Sequence, residues 1–345
     1  MPSRPRRPRS PYHDARRRRR GAHVRTITYL AAGALGVLAL TRPAKLTALV
    51  LAAPAVRGAI ATPALAGVSR AVELTVALPG DSVHMPMDLG SDSLRLRYEW
   101  VAVGDTVRPL YAKVFDPGAL FAPAKPGFYH LALFRDVDSS SVLLDAPTLA
   151  VLMPFSEKRR GAITGYRIGT YRGERWGSPD HPAGFMTVEP EDMDLPVSAH
   201  LRVSDFVTHD WQQQVWPKYV ALNPRLLDKL ELVMTELERH AARSDSVQLE
   251  PDVHSGFRTP LYNRTVPRAA DDSRHQFGDA ADITLDVNGD GRITRADIDA
   301  IVQAVDAVEA AHPDLVGGLG IYTSRRYPTP YVHIDTRGER QRWHG

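Results

Sequence analysis

The chain has 345 residues, of which 43% are hydrophobic and 24% charged, so it is long enough to bury two hydrophobic cores. It contains no cysteine, which excludes disulfides, thiolate metal sites and a lipid-modified cysteine anchor. Residues 1–25 hold ten arginines and one aspartate and therefore carry +9, so the net charge of +3 leaves −6 for the rest of the chain. No aromatic platform or recognition motif accompanies these arginines, which argues against a nucleic-acid partner. We predict a basic cytoplasmic tail over residues 1–25.

Two hydrophobic runs follow this tail, at residues 27–40 and 46–56. Positive residues before a hydrophobic run keep the amino terminus in the cytoplasm and send the following chain across the membrane. The first run is shorter than the roughly 20 residues of a comfortable transmembrane helix. We predict that residues 26–69 are an export segment that stays attached to the cytoplasmic membrane and places the rest of the chain in the cell envelope. A signal cleaved after Ala66, twin-arginine export and a cytoplasmic chain with a basic tail are the alternatives.

Residues 70–195 are predicted to form an all-β domain. Short alternating or apolar runs at residues 72–76, 94–101, 129–134 and 148–152 are separated by Pro-Gly pairs, a spacing typical of an antiparallel β-sandwich. Residues 173–184 are rich in glycine and proline and are predicted to be a connector. No catalytic pattern occurs in this region. We interpret it as a spacer between membrane and C-terminal domain, with a glycan- or partner-binding module as the alternative.

Residues 196–345 are predicted to form an α+β domain with an antiparallel sheet. A helix should begin at Asn223, because an N-cap asparagine and a proline precede apolar residues at helical spacing. Strands are predicted to end near Arg258, Leu285 and Asp335.

Three side chains of this domain form a candidate metal site. His275 and Asp282 lie seven residues apart around Gly278, which lets the chain reverse, and His333 lies in a later strand-like segment. Two histidines and one aspartate, with a fourth position left for water, are typical of a catalytic zinc site rather than a closed structural one. Manganese or iron also suit such a set.

The segments around these residues resemble a known family. They read, in order, PVSAHLRVSDF from Pro196, SGFRTPLYN from Ser255, SRHQFGDAAD from Ser273, GGLGIY from Gly317 and YVHIDTRG from Tyr331. In this order they resemble the bacterial zinc D-alanyl-D-alanine carboxypeptidases and the related murein endopeptidases, whose fold is shared with the Hedgehog signalling domain. The resemblance covers roughly residues 196–345.

The resemblance implies zinc ligands at His275, Asp282 and His333 and a substrate-binding arginine at Arg258. It implies an exported zinc peptidase that acts on peptidoglycan stem peptides, as a D,D-carboxypeptidase or as an endopeptidase. The planar guanidinium of Arg258 suits a peptide carboxylate or an oxyanion. The alternatives are a metal-binding but non-catalytic cell-wall-binding protein and a calcium-dependent adhesion module.

The catalytic base departs from the family pattern. Relatives carry histidine or glutamate two or three residues before the last histidine, but this chain has Tyr331 and Pro330 there, and neither takes a proton at neutral pH. The nearest substitute is Asp335, on the same face of a strand as His333. Three interpretations stay open: Asp335 is the base, it is a carboxylate that orients a ligand histidine, or turnover is slow or absent.

Residues 286–297 match the EF-hand calcium loop. Oxygen-bearing residues stand at loop positions one, three, five, nine and twelve, glycine stands at six, and position seven offers its backbone carbonyl. The predicted calcium ligands are Asp286, Asn288, Asp290, Arg292, Thr294 and Asp297. Because the preceding segment must be the strand that delivers Asp282, we predict a single structural calcium that supports the zinc geometry indirectly, not a paired sensor.

Overall fold

The computed structural model describes residues 71–84, 96–107, 112–116, 120–135, 140–178, 180–241, 249–323 and 327–345. The predicted basic tail and export segment lie outside these residues. Among the described residues, no helix is both long enough and apolar enough to span a membrane. All of the described residues belong to one compact unit, Val50–Gly345.

The predicted α+β class is confirmed. The described part of the chain contains seventeen strands and three α-helices, together with short 3-10 turns. The helices are α1 (Pro224–Ala241), α2 (Pro260–Asn263) and α3 (Arg295–Ala311). Helix α1 begins as predicted, since the Asn223 side chain accepts a hydrogen bond of 3.1 Å from the Arg225 amide.

The first sheet contains five strands in the order β1-β7-β6-β3-β4. They are β1 (Leu74–Ala77), β3 (Leu96–Ala102), β4 (Lys113–Val114), β6 (Gly127–Arg135) and β7 (Ser140–Val151), and β2 (Ser82–Val83) pairs separately with β5 (Leu120–Phe121). The prediction of purely antiparallel pairing is wrong at one edge, because β1 and β7 are parallel. Three strands of the same sheet lie between them along the chain, so no tight hairpin forces them to run in opposite directions.

Smaller sheets lead from the first sheet to the second. Strand β8 (Met153–Pro154) pairs with β11 (Gly184–Val188), which pairs with β12 (Lys218–Val220), and β9 (Ala162–Ile163) pairs with β10 (Tyr166–Arg167). One buried hydrophobic cluster contains residues from both sides of the predicted boundary at residue 195, among them Leu74, Phe185, Leu226 and Ile334. The β-rich region and the C-terminal region therefore share a core.

The second sheet carries the candidate site and has the order β13-β14-β16-β15-β17. Its strands are β13 (Asp252–Ser255), β14 (Ala280–Thr284), β15 (Gly318–Tyr322), β16 (Tyr331–Asp335) and β17 (Gln341–His344). The predicted antiparallel pairing holds except that β17 is parallel to β15. The chain reverses after β16 and passes beyond β15, so β17 runs in the same direction as β15.

The two faces of β16 have different chemistry. Val332 and Ile334 are fully buried and join the cluster that also holds apolar residues of α1 and α3. His333 lies between them in sequence and therefore points to the opposite face. The apolar face fixes the sheet against the helices, and the other face is left for the candidate site.

Candidate metal centre

The structure brings together the three predicted metal ligands, which come from three separate elements. His275 lies in a 3-10 turn (Arg274–Phe277), Asp282 lies in β14, and His333 lies directly opposite Asp282 in β16. The turn ends at Gly278, with φ of 74°, where a Cβ atom would lie 2.3 Å from the Ala221 carbonyl oxygen. Only glycine fits this position, and it allows the chain to turn from His275 into β14.

The donor atoms of the three side chains converge on one point. His275 Nε2 lies 3.1 Å from Asp282 Oδ1 and 3.0 Å from His333 Nδ1, and the last two atoms are 2.9 Å apart. Ligands of a tetrahedral zinc ion, each about 2.0–2.1 Å from the metal, lie roughly 3.3–3.4 Å apart. A small outward movement of each side chain would therefore accommodate the ion. Within the described residues, this is the group of histidine and acidic side chains that can hold a metal ion.

Each of the three side chains has an outer partner that fixes its orientation. His275 Nδ1 donates to the Gly256 carbonyl oxygen at 2.7 Å, and His333 Nε2 donates to Asp335 Oδ2 at 3.1 Å. In its neutral form each histidine therefore turns a lone pair inward, and Asp282 accepts a hydrogen bond from Arg258 on its outer oxygen. Three inward acceptors this close are stable together only around a cation or a shared proton. The three donors therefore fit a metal ion, and each is oriented by an outer hydrogen bond of the kind that orients ligands in protein metal sites.

Electrostatics keep two of the ligands in the form that a metal needs. Burial lowers the pKa of His275 to about 4, so this histidine is neutral at physiological pH. Burial works against ionisation of Asp282, but His275 and the Arg258 guanidinium outweigh it and hold the pKa of Asp282 well below its usual range. A neutral imidazole and an ionised carboxylate are the ligand states that bind a divalent cation.

Asp335 lies behind His333 and not beside the inward donor atoms. It is fully buried, and besides His333 it accepts hydrogen bonds from the Gly318 amide at 2.7 Å and from Arg337 Nε at 2.9 Å. Burial raises the pKa of Asp335, but the His333 and Arg337 hydrogen bonds outweigh it and lower the pKa far below the usual range. Of the three interpretations left open by the sequence, this position favours a carboxylate that orients a ligand histidine over a base that takes a proton.

Arg258 is held against the same centre. Strand β13 ends at Ser255, three residues before Arg258, so the predicted strand is slightly too long. Arg258 Nε donates to Ser255 Oγ at 2.7 Å, its Nη2 donates to Asp282, and its amide donates to the His275 carbonyl oxygen at 3.0 Å. The side chain retains 12% of its exposure, so part of its fork still reaches solvent.

Aromatic side chains form a wall beside the centre, which the sequence pattern did not predict as a unit. The rings of Tyr322 and Tyr331 stack at 4.5 Å, and Tyr327 meets both edge-on at 5.3 and 5.4 Å. Trp343 packs against His333 at 5.3 Å and donates to the Tyr322 hydroxyl at 2.9 Å. The signal in the sequence is the alternation of the strands. Tyr331 lies two residues before His333, and Tyr322 lies two residues after Gly320, which pairs with His333, so both tyrosines share the face of His333.

The predicted calcium loop begins just after β14. The Asp286 carboxylate accepts hydrogen bonds from the Asp290 amide at 3.2 Å and the Gly291 amide at 2.7 Å, and Gly291 has the positive φ of 80° that loop position six needs. Asp297 lies in the first turn of α3, which is capped by Thr294, and accepts hydrogen bonds from the Thr294 amide and hydroxyl at 2.7 and 2.8 Å. In this structure the carboxylates therefore accept hydrogen bonds from groups of the loop itself, and calcium binding remains a prediction.

Comparison with known proteins adds no relative. No protein-family model, curated protein or solved structure matches the chain.

Proposed function

We propose that the protein is an exported zinc-dependent peptidase that hydrolyses D-amino-acid-containing peptide bonds in peptidoglycan stem peptides. The observation that carries this proposal is the buried set of His275, Asp282 and His333, in which every inward donor atom is fixed by an outer hydrogen bond. The resemblance of residues 196–345 to D,D-peptidases and murein endopeptidases supports the substrate class. A Hedgehog/D,D-peptidase-like fold for the second sheet and its helices is part of the same proposal.

His275, Asp282 and His333 would hold the ion. When bound, zinc acts as a Lewis acid that polarises the scissile carbonyl and makes water more acidic. The protein's own contribution to this chemistry is to hold the three donors in a buried, fixed arrangement, because Gly256, Arg258 and Asp335 prevent the side chains from turning away.

Arg258 would bind the negative end of the substrate. Its Nε and Nη2 atoms are held by Ser255 and Asp282, so the guanidinium plane is fixed before any substrate arrives. The N–H donors that remain suit a peptide carboxylate or the oxyanion that develops during attack. Because the arginine is preorganised, little side-chain entropy is lost when it engages the substrate.

We further propose that the chain acts in the cell envelope, attached to the cytoplasmic membrane through residues 26–69. The basic tail followed by hydrophobic runs supports export. The EF-hand-like loop at residues 286–297 supports calcium as a second, structural ion.

The test combines metal analysis with product analysis on the full chain. We expect one zinc ion per chain and, with muropeptides as substrate, released alanine or shortened cross-links in the mass spectrum. His275→Ala should remove the zinc and the activity together, whereas His240→Ala should change neither, because His240 is 57% exposed and contacts Glu236 on the surface of α1. A wild-type protein that holds zinc and yields no product would contradict the peptidase proposal.

A metal-binding but non-catalytic cell-wall protein is the second candidate. It is favoured by Pro330 and Tyr331, which stand where the related peptidases carry their base, and by the position of Asp335 behind His333. This candidate predicts zinc-dependent sedimentation with purified peptidoglycan, without release of any peptide.

A further inference from the structure

A β-bulge opposite the metal centre places an extra side chain on the site face. In β13, Val253 pairs with Ile283 and Ser255 pairs with Asp282, so His254 and Ser255 together oppose the single residue Asp282. A bulge of this kind turns the extra residue toward one face and occurs frequently beside active sites. Val253 is buried in the core, whereas His254 and Ser255 are partly exposed.

The surroundings of His254 hold its imidazole on that face. Its ring packs against Tyr331, with centroids 5.8 Å apart and planes at 52°, and its Nε2 lies 3.8 Å from Asp252 Oδ2. Tyr331 is two residues before His333 in β16, on the same face of the strand. The imidazole therefore lies over the site side of the sheet, and 28% of it is exposed.

The other titratable groups near the centre are unsuited to accept a proton from water. Asp335 is buried behind His333 and bound to Arg337, and Asp282 is engaged by Arg258 and both histidines. Burial raises the pKa of Tyr331 well above its usual range, so its hydroxyl stays protonated. Strand pairing sets His254 opposite the ligand residue Asp282, and its ring packs against Tyr331, two residues from the ligand His333. A general base has to reach the attacking water directly or through one further water, and this face of the sheet is where that water would lie.

We propose that His254 is the general base and acid of the hydrolysis. The inference rests on the proposed peptidase function. His254 takes one proton from the attacking water while the water oxygen bonds to the peptide carbonyl carbon. It returns that proton to the amine nitrogen as the carbon–nitrogen bond breaks, so the products are a carboxylic acid and an amine and the imidazole is neutral again.

The first test compares His254→Gln with His240→Gln in the full chain. Glutamine keeps the size and a hydrogen-bonding group but accepts no proton, so kcat on muropeptides should fall about 10²–10⁴-fold while zinc content and KM stay close to wild type. His240→Gln should behave as wild type. A His254→Gln protein with unchanged kcat, or one that has lost its zinc, would overturn the role of His254 and leave the peptidase function standing. A wild-type protein without activity would overturn both.

The second test has a readout that does not depend on turnover. Diethyl pyrocarbonate modifies accessible imidazoles, and the modified residues are identified by mass spectrometry after digestion. We expect a phosphinate analogue of D-alanyl-D-alanine to slow the modification of His254 in the zinc-loaded protein and to leave the modification of His240 unchanged. Equal rates at His254 with and without saturating analogue would show that it lies outside the substrate site.

Discussion

The candidate metal centre and the EF-hand-like loop lie only four residues apart along the chain, from Asp282 to Asp286, yet their polar side chains are used in different ways. His275, Asp282 and His333 are buried and turn their donor atoms toward one another. Asp286 and Asp290 are on the surface, and their carboxylates accept hydrogen bonds from amides of the loop itself. The EF-hand-like loop is thus specified by one local sequence pattern, whereas the candidate metal centre forms from three residues that are distant along the chain.

This difference shows what each kind of site requires from the fold. The loop is built by one continuous segment, and its glycine at position 291 and its cap at Thr294 are local features. The metal centre needs a turn, two paired strands and outer partners from three further positions. Its geometry therefore depends on packing of the whole sheet, and it should respond more strongly to substitution of residues that never touch the metal.

The largest effect that we expect from such a residue is at Asp335. Asp335→Asn removes the charge that holds His333 Nε2–H at 3.1 Å, so zinc affinity should fall about 10–100-fold, measured by competition with a chromogenic chelator. Asp306→Asn is the matched control, because this carboxylate also binds arginines, Arg342 at 2.8 Å and Arg340 at 3.0 Å, but no histidine. Unchanged zinc affinity in a folded Asp335→Asn protein would contradict the orienting role.

The sequence predicted the residues of the centre because the short segments that carry them are recognisable one by one, by residue type and by resemblance, although they lie far apart along the chain. A histidine and an aspartate seven residues apart around glycine, and a second histidine in a strand-like segment, identify the donors. The helix start at Asn223 is equally local, since an N-cap and a proline specify it.

The features that were not predicted depend on strand register. The segment from Val332 to Asp335 shows that His333 and Asp335 share a face, but not that Asp335 meets the outer ring nitrogen of His333. In the same way, no pattern in β13 reveals that His254 and Ser255 both oppose Asp282. A register shift of one residue moves a side chain to the other face, so these positions follow from pairing and not from composition.

His200 is a partly buried histidine whose two ring nitrogens contact different carboxylates, so its donor atoms do not converge on one point as those of the candidate metal centre do. Its Nδ1 lies 2.7 Å from Glu231 and its Nε2 lies 3.0 Å from Glu238. The Glu231 hydrogen bond outweighs burial and, with Glu238, raises the pKa of His200 to about 9, whereas burial lowers the pKa of His275 to about 4. Glu73 is a further carboxyl group near Glu231, and burial together with the Glu231 charge raises the pKa of Glu73.

We therefore expect a pH-dependent loss of stability that His200→Gln removes. Because folding raises the pKa of His200 above its ordinary value of about 6.5, the stabilisation is complete below that pH and is lost as the pH rises through about 9. The side chain is 21% exposed, so a contribution on the order of 1–2 kcal/mol is expected. Urea unfolding at pH 6 and pH 9.5 measures it, and His240→Gln controls for general titration. The same decrease in the His200→Gln protein would contradict the assignment.

The smallest effect should be the coupling between the calcium loop and the metal centre. Four residues of strand span about 13 Å, and sites this far apart usually couple by no more than about 0.3–0.5 kcal/mol. Calcium should raise the melting temperature of the wild type but not of Asp286→Asn, and it should change zinc affinity by roughly twofold or less. Asp299→Asn, in the same part of α3 but outside the loop, is the control. If calcium raised zinc affinity tenfold, the loop would be part of the metal centre, because β14 would then need the ion to hold Asp282 opposite His333.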